Sequence, residues 1–433
     1  MNWELVAVIG FYILSVWLIL SRMYHAYLVR RFSFHLLFSA IYVVVFYAGF
    51  PFSLVLAWQF QLPLAESQEL FWSFALFLAW YFIYDTAYHW QLWQSKPISY
   101  PITLQHIAKK EAKWSACLLI LLALACLGVF IYLNQGLLLF KLEKYQHIFS
   151  TMVKGVALKR FFYFMLAGLL ILFLLAPSRK TWWWFGAVAL SFGLLSYVAV
   201  GGTRANLALA LMFFVLLGIY FQYLRLRWLA LLAGLAVIVM FWLALTRYSL
   251  AVEGREMLFT FLYLTRDTFS PWENAHKILI SDFPFQGLMP IVRDFYVFIP
   301  DTLWTDRPDI AWNTANYFTK VILGNESGMA ISPTILGSFY IMGGYPMVLL
   351  GMVFSGLLIK GIDVVFEYGR HHLQQGRAAI IQAYCWANLF NLIVLVREGM
   401  DGFVSRFFFF SAVFGLCWLL ARIIALWGQD EQG

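Results

Sequence analysis

Three short stretches of the chain set acids beside arginines. They are Arg266-Asp267 in LYLTRDTFSPWENAHKIL, Arg293-Asp294 in GLMPIVRDFYVFIP, and Arg397, Glu398, Asp401 and Arg406 in VREGMDGFVSR. A fourth stretch, SYVAVGGTRANLALALMFF, places Arg204 on a Gly201-Gly202 turn between two apolar runs. A guanidinium is a planar fork that grips phosphate oxygens two at a time. A carboxylate within reach can take the proton of an attacking hydroxyl. Together they suit a transfer reaction in which a phosphate or pyrophosphate departs and cations stabilise its charge. The sequence contains no GxxxxGK[ST], HExxH, GxSxG or paired DxD. With no nucleotide or metal motif, the energy for bond formation is expected to arrive with the substrate, and no cofactor is expected.

The elements that must position these residues are membrane spans. The chain has 433 residues, 63% of them hydrophobic and only 12% charged, where soluble domains carry about a quarter charged residues. An all-α polytopic membrane protein is expected. At about 20 residues per crossing, spans fall near 2–20, 34–57, 69–90, 114–133, 161–177, 182–200, 207–223, 228–246, 344–366, 378–396 and 407–427. The first apolar run is preceded by Glu4 and followed by Arg22, Arg30 and Arg31. That charge order places Met1 outside and the arginines inside, and with eleven spans the carboxyl end is also inside. Trp182-Trp183-Trp184 beside Arg179-Lys180 reads as an interfacial aromatic belt. Cys117, Cys126, Cys385 and Cys417 all lie in apolar runs and read as small buried hydrophobes. This organisation gives an amino-terminal bundle over 1–246, a large outer loop over 247–343 and three carboxyl-terminal spans over 344–433.

Of the 30 Lys and Arg residues, half fall on the outer side. Long loops carry such charge without penalty, but Arg204, Arg397 and Arg406 sit in short outer turns, where snorkelling is the plain alternative. Residues 137–159 follow the fourth span with apolar side chains at Leu138, Leu142, Tyr145, Phe149, Met152 and Val156. That spacing predicts an amphipathic helix in the outer interface, with Lys141, Lys144 and Lys154 off the apolar stripe and Lys159 and Arg160 at its end. It serves as a brace or as a substrate grip. In the outer loop, Ser270, Pro271 and Glu273 read as a capping box, which gives Glu273 a structural duty. The stretch DTLWTDRPDIAWNTANYF supplies Asp301, Asp306, Arg307, Asp309, Asn313 and Asn316 among Trp304, Trp312 and Tyr317. Such a mixture suits sugar rings, and equally a folded cap over the bundle.

The runs GVALKRFFYF, VGGTRAN, TFLYLTRDTFSPWEN, PIVRDFYVFIP, ANYFT, AISPT and REGMDGFVSR resemble the Wzy-type lipid-linked oligosaccharide polymerases of enterobacterial common antigen. The resemblance covers about Arg31 to Trp427. Relatives carry a longer basic inner tail, a difference expected to bear on partners rather than chemistry. The resemblance implies an inner-membrane enzyme working at the periplasmic face, similar in fold to the metal-independent multi-span (GT-C-like) glycosyltransferases. It implies a substrate of N-acetylglucosamine, N-acetylmannosaminuronic acid and an acetamido-fucose on undecaprenyl pyrophosphate. It further implies a chain-length-regulating co-polymerase as partner, a bilayer environment and no nucleic acid. A flippase or an O-antigen-ligase-like transferase would share many of these features. The expected substrate-binding residues are Arg204, Arg266, Arg293, Arg397 and Arg406, with Lys159 and Arg160 near the lipid entrance. Asp267, Glu398, Asp294 or Asp401 is the expected base. Alanine at Arg204, Arg266 or Arg397 should each shorten or abolish polymer at normal protein level, as read on a gel that resolves repeat units. Unchanged polymer in all three would remove the cluster.

Overall fold

The computed structural model describes residues 3–90, 105–141, 153–225, 227–248, 252–296, 304, 313–326, 330–372 and 375–430. Among them the chain is helical, with no strand. Long apolar runs leave backbone amides no partner in lipid except one another, and the helix satisfies them within the segment. In chain order the helices are α1 (Trp3–Val29), α2 (Phe34–Phe46), α3 (Phe50–Phe60), α4 (Ser67–His89), α5 (Gln105–Leu133), α6 (Phe164–Leu175), α7 (Arg179–Val200), α8 (Ala205–Tyr220) and α9 (Arg227–Tyr248). They continue with α10 (Gly254–Phe269), α11 (Trp272–Ile280), α12 (Met289–Tyr296), α13 (Thr314–Tyr317), α14 (Thr334–His372), α15 (Gln375–Ala387), α16 (Leu389–Arg397) and α17 (Met400–Asp430). Nine helical stretches among the described residues are long and apolar enough to cross a membrane. The two other expected spans correspond to α8, which is shorter at 16 residues, and to the 22-residue α9.

Two compact units form, and neither follows the order of the chain. The first comprises Met1–Gln94, Val252–Asp363 and Leu389–Phe409; the second comprises Ser95–Ala251, Val364–Asn388 and Phe410–Gly433. In the second unit, Ser178 and Thr181 cap α7 reciprocally, and Gly201 in the left-handed region ends it. Trp182 stacks on Phe214 with ring centres 4.2 Å apart and is buried, while Trp183 and Trp184 are exposed. Of the three tryptophans expected to form a belt, two are exposed and one packs inside the unit. Glu111 of α5 is fully buried and takes a hydrogen bond from Trp418 Nε1, with Arg377 Nε at 3.5 Å. Cys385 and Cys417 are buried as expected, but Cys126 is only partly buried and Cys117 is exposed. The two described ends of the expected in-plane helix are 3₁₀, over Leu138–Phe140 and Val156–Phe161, and Gly155 before the latter takes φ +70°. Residues 142–152, which hold the middle of that stretch, lie outside the described residues.

In the first unit, the span expected over 34–57 is broken. α2 ends at Phe46 and α3 begins at Phe50, with Pro51 in its first turn. The break is closed by a residue far along the chain. The Ser270 hydroxyl donates to Val45 O at 2.9 Å and accepts from Gly49 N at 2.8 Å. A Cβ on Gly49 would lie 2.8 Å from the Ser270 Cβ, so the approach requires glycine. At the opposite end of α2, Asp363 of α14 accepts from Phe34 N (2.7 Å), His35 N (3.2 Å) and Tyr88 Oη (2.8 Å) and so holds the amino terminus of α2. The expected outer loop carries four helices, α10 to α13, and the start of α14. Gly343 and Gly344 interrupt α14, the latter at φ +65° against the Phe285 ring. The stretch 305–312, with Asp306, Arg307, Asp309 and Trp312, lies outside the described residues, as does Asp301. Ser270→Ala leaves two buried backbone groups at the α2–α3 break without a partner. It should cost about 1–3 kcal/mol, seen as a lowered thermal midpoint of the detergent-solubilised protein at unchanged expression.

Candidate active site

α10 and α16 both end at one place in the first unit. Arg397, the last residue of α16, donates from Nε to Thr268 O in the last turn of α10 at 3.1 Å. Arg266 and Asp267 lie on that same turn of α10. Beyond Arg397 the chain reverses sharply, with Glu398 N and Gly399 N both donating to Val394 O at 2.7 and 3.1 Å. Gly399 takes φ +113°, and a Cβ there would fall 2.4 Å from the Ser338 Cβ, so glycine alone fits. α17 then starts, and within two turns it brings Glu398 and Arg406 together at 2.8 Å. Both side chains of this pair are about a third exposed, Arg406 at 39% and Glu398 at 33%.

Three hydroxyls, those of Thr314, Ser338 and Ser405, fasten the former loop to the start of α17. Asp401, 3% exposed, accepts from Thr314 N (2.8 Å), Thr314 Oγ1 (2.7 Å) and Ser338 Oγ (3.3 Å). The Ser338 hydroxyl also accepts from Met400 N at 3.1 Å. Ser405 donates to Asp294 Oδ2 at 2.7 Å, which binds α12 to α17. Arg293, beside Asp294 on α12, is half-buried. α13, α14 and α12 are thus held against the helix that carries Arg406.

Arg266 has a partner that the sequence reading assigned elsewhere. Its Nη1 lies 2.8 Å from Glu273 Oε1 and 3.5 Å from Ser53 Oγ, and its guanidinium sits 4.9 Å from the centre of the Tyr263 ring. The expected capping box is not formed. Pro271 is the N-cap of α11 and offers no side-chain cap, Ser270 is engaged at the α2–α3 break, and the Glu273 carboxylate turns to Arg266. An arginine that is only 14% exposed is costly to bury unpaired, and that demand outweighs the gain from a cap. Nothing in the sequence marks Ser53, Thr314, Ser338 or Ser405 as members of the site, since each works through a contact distant in the chain.

The first unit therefore gathers Arg266, Asp267, Arg293, Asp294, Arg397, Glu398, Asp401 and Arg406. Arg204, Lys159 and Arg160 belong to the second unit. Arg204 precedes α8 on a turn in which Gly201 and Gly202 take φ +80° and +102°, and its carbonyl accepts from Ala208 N at 2.9 Å. Lys159 is half-buried and Arg160 exposed in the 3₁₀ stretch before α6. Two of the first unit's arginines are balanced by acids, Arg266 by Glu273 and Arg406 by Glu398. Arg397 has no carboxylate within ion-pair distance among the described residues.

The family model described as WzyE protein, O-antigen assembly polymerase, matches residues 1–433. The chain belongs to that family. It is a multi-pass membrane transferase of polysaccharide biosynthesis, a Wzy-type enterobacterial common antigen polymerase acting on lipid-linked oligosaccharide. No solved structure matches it. For this WzyE-family chain, the α10–α16–α17 junction is a place where guanidinium groups, carboxylates and partial exposure coincide.

One titrating group ties α11, the helix after α10, to α4. His276 of α11 is buried, with Nδ1 2.8 Å from Ser73 Oγ and Nε2 3.8 Å from Glu69 of α4. Burial lowers its pKa below the ordinary 6.5, Glu273 pulls it back up, and Lys277 lowers it further. A histidine held below its unfolded value contributes stability that is complete above about pH 6.5 and is lost as pH falls through that value. The thermal midpoint should therefore drop between about pH 7 and pH 5. His276→Gln should flatten that part of the profile.

Proposed function

We propose that this polymerase joins undecaprenyl-pyrophosphate-linked trisaccharide repeats into enterobacterial common antigen at the periplasmic face of the inner membrane. The observation that carries the reading is the meeting of Arg397, which has no carboxylate partner among the described residues, with the end of α10. Arg266 and Arg406 stand nearby, each on a glutamate. In this reading the growing chain is the donor. A hydroxyl at the non-reducing end of the incoming unit attacks C1 of the donor's first sugar. The bond from C1 to the pyrophosphate oxygen breaks, and the electron pair leaves with undecaprenyl pyrophosphate. Arg397, Arg266 and Arg406 stabilise that charge, with Arg293 close on α12. Guanidinium donors fixed in advance are worth most where charge develops in a site shielded from water.

The base takes the hydroxyl proton, and Glu398 is the residue best placed for it. It is partly exposed, follows Arg397 directly, and is held by Arg406. Asp267, one residue after Arg266, is the second candidate. Asp401 is occupied by three hydrogen bonds and buried, so its part is to fix the α16–α17 turn. Asp294 is engaged by Ser405. Arg204 stays a candidate substrate ligand, and Lys159 and Arg160 stay candidates near the lipid entrance; all three belong to the second unit. A chain-length-regulating co-polymerase is the expected partner.

The test uses purified protein in nanodiscs with a synthetic lipid-pyrophosphate-linked repeat and no nucleotide. A ladder of one-repeat steps is expected. Glu398→Gln should lower turnover by about 10²–10⁴-fold at an unchanged melting point. Asp401→Asn should lower the melting point. If substrate binds and no ladder forms, polymerisation by the chain alone is excluded. If Glu398→Gln polymerises normally, the base is another residue.

A further inference from the structure

The Arg266–Glu273 pair has features of a contact built to open. The Glu273 carboxylate is the more exposed partner, at 27% against 14% for Arg266. It also has a second donor, the Ser53 hydroxyl, which lies closer to it than to Arg266 Nη1 at 3.5 Å. The Ser53 hydroxyl lies 3.0 Å from Glu273 Oε1 and shares its one proton between that oxygen and Gly49 O at 3.3 Å. Glu273 stands in the first turn of the nine-residue α11, whose N-cap supplies no side-chain acceptor. An anion is favoured at such a position. The carboxylate thus keeps a place to rest when Arg266 turns to another anion. Arg266 in turn is steadied by the Tyr263 ring and stays at the end of α10 whether or not Glu273 holds it.

We propose that Glu273 is an internal competitor for pyrophosphate at Arg266. The inference rests on the reading of Arg266 as a pyrophosphate ligand. In the empty site Glu273 occupies the guanidinium. The arriving lipid pyrophosphate displaces it onto Ser53 and the first turn of α11. After transfer, Glu273 returns to Arg266 and helps expel the undecaprenyl pyrophosphate left behind. A polymerase must clear that product at every addition, and a bare arginine cluster would hold it. Glu273 is a positioning and release residue here, and it takes no part in bond making.

The experiment measures binding of undecaprenyl pyrophosphate to the full chain in nanodiscs, together with first-turnover and steady-state rates of ladder formation. Glu273→Gln keeps the size of the side chain and removes the competing charge. It should bind the product about fivefold more tightly, the worth of one partly exposed ion pair, with the first turnover retained and later turnovers slowed. Ser53→Ala removes the alternative support, so Glu273 should cling to Arg266 and the product should bind more weakly. A merely structural role would move both variants in the same direction, and that outcome overturns the proposal. So does loss of the first turnover in Glu273→Gln, which would make Glu273 part of the chemistry. Arg266→Ala separates the two levels. If it binds product as the parent does, the reading of Arg266 fails and takes the inference with it. If it loses product while Glu273→Gln changes nothing, the inference alone fails. Should Glu273→Gln not fold, Glu273→Asp, which shortens the reach to Arg266, must show the same tightening in smaller measure; unchanged affinity there also overturns it.

Discussion

The buried carboxylate of Asp401 is the interaction on which the arrangement of the first unit turns. A carboxylate taken from water costs several kcal/mol unless its oxygens are given donors. Asp401 receives them from Thr314 and Ser338, which lie 87 and 63 residues earlier in the chain. The donors come from the start of α13 and the start of α14, so satisfying one acid brings three helix ends together. Gly399 makes this possible, because any side chain there would occupy the space of Ser338. Once the α16–α17 turn is fixed, Arg397, Glu398 and Arg406 have few positions open to them, and the end of α10 meets Arg397 there.

The balance of charge in this unit follows from the same physics. Arginines at a membrane surface look like open anion sites when read along the chain, because sequence shows spacing and hides distant partners. In the folded unit Arg266 and Arg406 are each held by a glutamate, and Asp294 is engaged by a serine. Arg397 lacks such a carboxylate among the described residues. A site of this kind recognises an anion by exchanging one set of contacts for another. Affinity then depends on a difference between two sets of charge-assisted hydrogen bonds and not on their sum.

The helical architecture was legible because apolar runs of spanning length have one outcome in lipid. The acids and arginines of Arg266-Asp267, Arg293-Asp294 and Arg397–Arg406 stood out by residue type, and all of them lie in the first unit. Glu273 was misread. Ser270, Pro271 and Glu273 match a capping pattern perfectly in spacing, but the pattern says nothing of an arginine seven residues upstream that needs a partner. The hydroxyls of Ser53, Thr314, Ser338 and Ser405 were invisible, since a serine in an apolar helix carries no local sign of what it will meet. The break in the second span was equally hidden. Gly49 and Pro51 hinted at it, but Ser270, which makes the break tolerable, lies 221 residues away.

That separation has a consequence for how the protein is made. Residues 34–60 enter the membrane early, as an apolar stretch with an interruption at Tyr47-Ala48-Gly49. The amide of Gly49 and the carbonyl of Val45 find their partner only when Ser270 has been synthesised and α10 and α11 have docked. Until then the ribosome must build most of the second unit while the first holds an incomplete helix pair. Biogenesis of the two units is therefore interleaved, the first waiting for residues up to Phe409 and the second for the segment that follows.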